Sequence, residues 1–219
     1  MTNMAQGREP LHIPEVVTLN YAKEVLAKDW KQFEKLNLTP LIVEFNLLLA
    51  DIKEVNETVY QHLLQDPAAA RHHQNYPGGL LEHKFKFAAW LYLRSKREGP
   101  MALNIMALDV VRLAVFHDFC KIALYDLVRT EFDKMGEMHF TYSYDKDKYQ
   151  HHAIESIRRV EALGYKLSDI ERICILLHMA GGWWNLEDEL ALTEKDFSTA
   201  AHNLKLISAV QWADMKACE

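Results

Sequence analysis

Residues 103–121 read LNIMALDVVRLAVFHDFCK, and apolar residues recur in this stretch at steps of three and four. That spacing predicts a helix over residues 103–116 with one buried face. The apolar face consists of Leu103, Met106, Val110, Leu113 and Ala114. One further step along it reaches His117, which Asp118 follows directly. The pattern therefore predicts an imidazole and a carboxylate where a buried helix ends.

The same periodicity predicts a mainly helical chain. Predicted helices cover residues 15–35, 41–65, 80–96, 103–116, 151–163, 168–179 and 197–217. Ser168 and Glu171 form the pattern of a capping box at the start of one of them. The alternation HFTYSY at residues 139–144 instead predicts a β-hairpin insertion near residues 130–145, turning near Met135-Gly136. The expected fold class is all-α, a helical bundle with this hairpin inserted.

Bulk composition predicts a globular chain with a substantial core. The chain has 219 residues, 49% of them hydrophobic, which suits an N-terminal helical annex (residues 1–66) packed on a main domain (residues 67–219). A chain of this size needs no metal to fold, so a bound metal would be functional. The net charge of −6 offers no basic stripe for obligatory binding of duplex DNA.

Cysteine usage and the N-terminus predict a cytoplasmic location. The three cysteines, Cys120, Cys174 and Cys218, form no CxxC pair and no disulfide framework, which is typical of a reducing compartment. The first ten residues, MTNMAQGREP, lack the apolar segment of a signal peptide. No apolar run is long enough for a membrane span, so no membrane partner is expected.

Several histidines and aspartates occupy the apolar faces or the ends of predicted helices. They are His83, His117, Asp118, His152, His178 and Asp214. An unpaired carboxylate on the apolar helix that carries Asp214 would be costly, so a partner is expected there. Imidazole and carboxylate together suit Mn, Fe, Co, Ni or Zn, with Mg as a further candidate. We expect one or two divalent ions.

The order of these residues resembles that of the HD-domain metal-dependent phosphohydrolase superfamily. Its pattern of a histidine, an HD pair and a distant aspartate matches His83, His117, Asp118 and Asp214 over about residues 70–217. Two further segments, HAIES and LLHMAGG, resemble those that carry extra ligands in dinuclear members. They implicate His152 and His178. The loop HHQNYPGGLLEH is similar to the one before the first ligand in HD-type exoribonucleases and relaxase-associated HD domains.

The resemblance implies an HD-domain-like bundle and a catalytic role for this set. Asp118 would bridge two ions, and a metal-activated water would hydrolyse a phosphoester of a nucleotide or oligonucleotide. Lys121, which matches the lysine of HD-x-x-K, would act in catalysis and meet the substrate phosphate. Arg71 and His73 are the other candidate substrate contacts.

Two residues depart from the family pattern, and the sequence leaves alternatives open. Cys120 stands where many relatives have glycine, and Met179 where some dinuclear relatives have a second histidine. His151 competes with His152 for the inward position, and His152 is preferred. Two other functions remain open: a di-iron oxygenase of the same fold, and a non-catalytic nucleotide-sensing module.

Overall fold

A computed structural model describes residues 14–70, 73–97, 102–134, 138–145, 151–179 and 193–219. These residues are mostly helical, with one two-stranded antiparallel sheet, which confirms the predicted helical chain with a hairpin. The helices are α1 (Leu19–Val25), α2 (Trp30–Phe33), α3 (Thr39–Val55), α4 (Glu57–Gln65), α5 (Gly79–Ser95), α6 (Ala107–Phe116), α7 (His152–Ala162), α8 (Asp169–Leu176), α9 (Glu194–His202) and α10 (Leu204–Ala217). Short 3-10 turns cover Ala27–Asp29 and Phe119–Lys121, and the strands are β1 (Tyr125–Phe132) and β2 (Met138–Tyr144). None of the helices within these ranges has the length and apolar composition of a membrane span.

Three of the predicted helices are broken, two of them at asparagine residues. The helix expected over residues 41–65 is two helices, because Asn56 is extended and its side chain accepts a 3.1 Å hydrogen bond from Val59 N to cap α4. Asn203 likewise separates α9 from α10, and the segment expected as one helix over residues 15–35 is α1, a 3-10 turn and α2. At Asn56, a local side-chain hydrogen bond therefore outweighs continuous apolar periodicity.

The helix α5 lies at the centre of the fold. It packs against α10, α6 and α4, with further contacts to α1 and α3. It is buried almost all round, as expected for a helix without a solvent face. Three consecutive polar residues, Glu82, His83 and Lys84, are nevertheless buried on it. A buried polar group needs a polar partner, so each of these three side chains is expected to make a specific polar contact.

Two of these polar residues are satisfied locally. Glu82 accepts a 2.6 Å hydrogen bond from the Tyr76 hydroxyl and pairs with Lys86 Nζ at 2.9 Å. Lys84 Nζ donates to Val115 O at 2.7 Å, which ties α5 to α6. The third, His83, belongs to the site described below.

The N-terminal helices share one core with the rest of the described chain. Phe45 of α3 meets Phe85 edge-to-face with ring centroids 5.5 Å apart, and Phe33 meets Trp90 at 4.8 Å. Aromatic pairs of this kind stabilise beyond the area that they bury. The division into residues 1–66 and 67–219 stays a prediction.

The hairpin begins at Tyr125, five residues before the predicted start at 130. Its register runs from Tyr125 opposite Tyr144 to Phe132 opposite Met138, with an irregularity near Arg129. The predicted turn near Met135-Gly136 lies outside the described residues. Most side chains of both strands are exposed, so the hairpin adds little to the core.

The loop before α5 is closed by a tight backbone approach. Gly78 adopts φ +83°, which favours glycine, and Gly79 N donates to Tyr76 O at 2.9 Å. A Cβ on Gly79 would lie 2.0 Å from the carbonyl oxygen of Gln74. Since that oxygen accepts from Ala68 N at 3.0 Å, the loop cannot yield without losing a hydrogen bond.

Gly79→Ala is therefore expected to lower the free energy of unfolding by about 3 kcal/mol, the upper range for overpacking. Urea denaturation measures it. Gly164→Ala is the matched control: a Cβ there meets nothing within 4 Å and suffers only from φ +90°, which costs about 1 kcal/mol. Equal losses in the two variants would contradict the clash at Gly79.

Candidate metal centre

Three helices bring the predicted ligands together. His83 lies in the second turn of α5, His117 caps the C-terminus of α6, and Asp214 lies in the last turns of α10. Because α5 packs against both of the other helices, the three side chains converge. Asp118 leaves the helical path with φ −115° and ψ 35°, so it turns back toward His117.

The first cluster consists of His83, His117, Asp118 and Asp214. His83 Nε2 lies 3.4 Å from His117 Nε2 and 3.2 Å from Asp214 Oδ1, and His117 Nε2 lies 3.3 Å from Asp118 Oδ2. Two ligand atoms about 2.1 Å from a tetrahedral ion lie about 3.4 Å apart. The separations therefore match those of atoms that share one ion.

The second cluster consists of Asp118, His152 and His178. His152 Nε2 lies 3.3 Å from His178 Nε2, and His178 Nε2 lies 3.5 Å from Asp118 Oδ1. The two oxygens of Asp118 thus face different clusters. His178 lies just beyond α8, which ends at Leu176, rather than inside the helix predicted over residues 168–179.

Backbone carbonyls fix the orientation of two of the imidazoles. His117 Nδ1 lies 2.9 Å from Ala114 O, and His178 Nδ1 lies 2.6 Å from Ile175 O. A carbonyl can only accept, so each Nδ1 carries a proton, and in the neutral form of either ring the lone pair is on Nε2, which faces the cluster. Outer hydrogen bonds of this kind are typical of metal-binding histidines.

One buried atom supports the fit to a cation directly. Asp118 Oδ1 is buried and has no hydrogen-bond partner among the described residues. The nearest imidazole nitrogen, His178 Nε2, lies 3.5 Å from it, so this buried oxygen has no close partner, which is unfavourable unless a cation is bound there. The buried histidines and aspartates could hold a metal ion.

The electrostatic balance keeps the carboxylates charged. Burial alone would raise the pKa of Asp118, but Lys121 and His117 outweigh it and hold the pKa well below its usual 3.8. Burial opposes ionisation of Asp214 too, and His117 and His83 more than compensate, so this pKa is also well below its usual range. Anionic oxygens are the form that binds metal.

Burial keeps other histidines neutral. It lowers the pKa of His83 to about 4, and burial together with His178 lowers that of His152 to about 3. A neutral imidazole presents a lone pair, which a metal ion needs. His117 differs: burial opposes its proton, yet Asp118 prevails and raises its pKa in the metal-free protein.

Lys121 lies in the 3-10 turn Phe119–Lys121, which directly follows Asp118. Its Nζ lies 2.7 Å from Asp118 Oδ2, and its side chain is largely buried. Cys120 N in the same turn donates to Ser156 Oγ at 3.1 Å, which binds the turn to α7 and hence to His152. The turn therefore links both clusters.

The remaining predicted site residues do not all lie in the clusters. His73 lies beside the first cluster, with its ring centroid 5.3 Å from that of His83, and burial lowers its pKa to about 3. Arg71 lies outside the described residues. His152 is in the second cluster, as preferred, whereas His151 is the residue before α7 and belongs to neither cluster.

The sequence reading missed Cys218. This residue follows Asp214 by one helical turn, and its Sγ lies 3.4 Å from His73 Nε2. The spacing of four residues on a helix was a usable signal, because it places both side chains on one face.

The fold and these clusters define a helical protein with a buried histidine–aspartate centre able to hold a metal ion. No protein family, curated protein or solved structure matches the chain. The resemblance to HD-domain proteins consequently rests on the motif order in the sequence.

The metal-stripped protein is expected to lose stability as the pH falls below about 6.5. Unfolded His83 and His152 bind protons near pH 6.5, whereas the folded forms do so only near 4 and 3. The unfolded state therefore binds more protons in this window, and the free energy of unfolding falls with falling pH. Asp118 and Asp214 extend the loss below 3.8. The raised pKa of His117 adds stability on acidification only above about 6.5, so it does not change the slope below that pH.

Urea denaturation of chelator-treated protein across this pH range tests the expectation. His152→Gln removes one of the titrating groups and should flatten the dependence. A stability that stays constant, or that rises on acidification, would contradict the burial of neutral imidazoles.

Proposed function

We propose that this protein is a metal-dependent phosphohydrolase of the HD-domain type. The observation that carries the proposal is the placement of Asp118, whose Oδ2 faces the first cluster and whose Oδ1 faces the second. A carboxylate between two groups of imidazoles is suited to bridge two ions. Paired metal sites are a common arrangement for hydrolysis at phosphorus.

The donor atoms restrict the choice of metal. Nitrogen and oxygen donors from imidazole and carboxylate suit Mn, Fe, Co, Ni or Zn, and Mg is the weaker candidate because it prefers oxygen. His83, His117, Asp118 and Asp214 would hold one ion, and Asp118, His152 and His178 a second. A divalent ion bound there would lower the pKa of a water molecule to near neutrality.

The chain itself supplies orientation and charge. The Nδ1 contacts of His117 and His178 hold both rings in place, so the site needs little reorganisation during reaction. The Lys121 ammonium, next to Asp118, is positioned to neutralise charge on a phosphate that approaches the centre. Burial of the cluster excludes water, which strengthens each of these interactions.

The proposed substrate is a nucleotide or an oligonucleotide end, in the reducing cytoplasm. This part follows from the motif resemblance, together with Arg71 and His73 of the loop before α5. Because His73 is neutral at physiological pH, its contribution to substrate binding would be a hydrogen bond rather than a charge. All three cysteines are free, as a reducing compartment requires.

The test is release of phosphate or nucleotide from a substrate panel by metal-stripped protein supplied with Mn, Co, Ni, Fe, Zn or Mg. Turnover that depends on added metal supports the proposal. Consumption of oxygen by an iron-loaded sample without phosphate release would favour the oxygenase. Nucleotide binding without any turnover would favour the sensing module.

Lys121→Gln is expected to lower kcat/KM by roughly 10²-fold while bound metal is retained, because the variant loses a charge positioned for the transition state. Steady-state kinetics with elemental analysis measures both quantities. Lys31→Gln, an exposed lysine on α2, is the matched control and should change neither. Unchanged kcat/KM in Lys121→Gln would show that the positive charge of Lys121 does not contribute to the reaction.

A further inference from the structure

A third group of potential ligands adjoins the centre, and its cysteine has no role in the proposed hydrolysis. It consists of His73, His83 and Cys218, whose ligand atoms lie within 4.8 Å of one another. We call it the thiol cluster. Its distinguishing feature is sulfur, which neither of the first two clusters contains.

The thiol cluster is held by specific contacts. Cys218 caps the end of α10, where its backbone N donates to Asp214 O at 3.3 Å. Gln74, the neighbour of His73, is buried, and its Nε2 donates to Ala217 O at 2.8 Å. This single hydrogen bond fastens the loop to the helix end at the positions adjacent to both His73 and Cys218.

The separation of the two outer ligands fits one ion. Cys218 Sγ lies 3.4 Å from His73 Nε2. For a zinc ion with a Zn–S bond of about 2.3 Å and a Zn–N bond of about 2.1 Å, tetrahedral geometry places these atoms about 3.6 Å apart. The observed distance needs a shift of only a few tenths of an ångström.

An unsatisfied buried atom points to a ligand independently. His83 is fully buried, and its Nδ1 has no hydrogen-bond partner among the described residues. Two other imidazoles of the centre, His117 and His178, each have a backbone carbonyl as the partner of Nδ1. His83 therefore lacks the outer partner that a histidine ligand normally has, which leaves a nitrogen of this ring available beyond the first cluster.

We propose that His73, His83 and Cys218 form a separate zinc site beside the histidine–aspartate centre. Imidazole with thiolate is a donor set that zinc prefers over Mg or Mn. On binding, the Cys218 thiol loses its proton to solvent and the thiolate coordinates the ion. Three protein ligands leave a position open for water or an exogenous ligand.

The zinc site is the solvent-side neighbour of the centre. His73 and Cys218 are half-buried, whereas His83 and His117 are fully buried. An ion can therefore reach the thiol cluster without displacing the deeper ligands. His83 can bind an ion in each site at once only as the imidazolate, after its remaining ring proton is lost to solvent, so this ring couples the two sites. Zinc binding at the thiol cluster requires no turnover and does not rest on the proposed hydrolysis.

Cobalt titration of the metal-stripped 219-residue chain tests the site. A cobalt–thiolate bond gives a near-ultraviolet charge-transfer band, which nitrogen and oxygen ligands alone do not give. The wild type should develop this band, and zinc should abolish it by displacement. The histidine–aspartate centre contains no sulfur, so it cannot give this charge-transfer band. The result therefore does not depend on whether the centre catalyses hydrolysis.

Variants assign the band to its ligands. Cys218→Ser should lose it while cobalt still binds elsewhere, and His73→Gln should weaken cobalt binding to the thiolate by roughly 10-fold or more, the loss found for even outer partners of a metal. Cys174→Ala, at a core thiol on α8, should keep it. Absence of the band from the wild type, or its persistence in Cys218→Ser, would overturn the proposal, as would its loss in folded Cys174→Ala.

Discussion

Replacing Asp118 by alanine is expected to reduce metal-dependent turnover by at least roughly 10³-fold, the upper range for loss of one positioned catalytic group. The reason is the dual position of this carboxylate, which provides one oxygen to each cluster. Its removal leaves the first cluster with three ligands and the second with two histidines. Metal content per chain should fall in parallel, as measured by elemental analysis after dialysis.

Two further variants separate chemistry from folding. Asp118→Asn keeps the size of the side chain but removes its charge, and it should share most of the loss. Asp126→Ala, at an exposed position on β1, is the matched control and should retain wild-type turnover and metal. Full activity in folded Asp118→Ala would refute the assignment of the centre.

Phe87→Ala is expected to lower the free energy of unfolding by about 3–5 kcal/mol, the range for a buried phenylalanine. Phe87 is fully buried on α5, and its ring stacks on His117 with centroids 4.4 Å apart. Truncation therefore leaves a cavity next to a metal ligand. Metal affinity should weaken as well, because His117 loses the surface that restrains its ring.

Chemical denaturation and metal titration measure the two effects of this variant. Phe132→Ala is the matched control, since Phe132 is 66% exposed at the end of β1, and its loss should stay within about 0.5 kcal/mol. A small loss in Phe87→Ala would show that the core around His117 relaxes freely. Such a core would not hold the ligand in place.

Much of the helical framework follows from local sequence. The helix predicted over residues 80–96 is α5, and the capping box of Ser168 with Glu171 is present, with Glu171 N donating to Ser168 Oγ at 3.3 Å. These features depend on spacing within a few residues. The breaks at Asn56 and Asn203 do not, because apolar periodicity continues across both residues while their side chains and backbone end the helices.

The candidate site divides in the same way. The sequence predicts four of the ligands because each lies on an apolar face or at a helix end, where a polar residue is unusual. These ligands are His83, His117, Asp118 and Asp214. The pairing of His73 with Cys218 cannot be predicted from the sequence, because 145 residues separate them and the contact depends on how the loop before α5 packs against α10. The orientation of the Asp118 carboxylate cannot be predicted either, because no spacing rule shows which of its oxygens faces which cluster.

The most direct test of the metal centre is anomalous diffraction from crystals of the 219-residue chain grown with manganese. We predict an anomalous peak within bonding distance of His83 Nε2, His117 Nε2 and Asp214 Oδ1, with Asp118 Oδ2 as the fourth ligand. A second peak should adjoin Asp118 Oδ1, between His152 and His178. Ordered water in place of both peaks, with the same side-chain positions, would contradict the account.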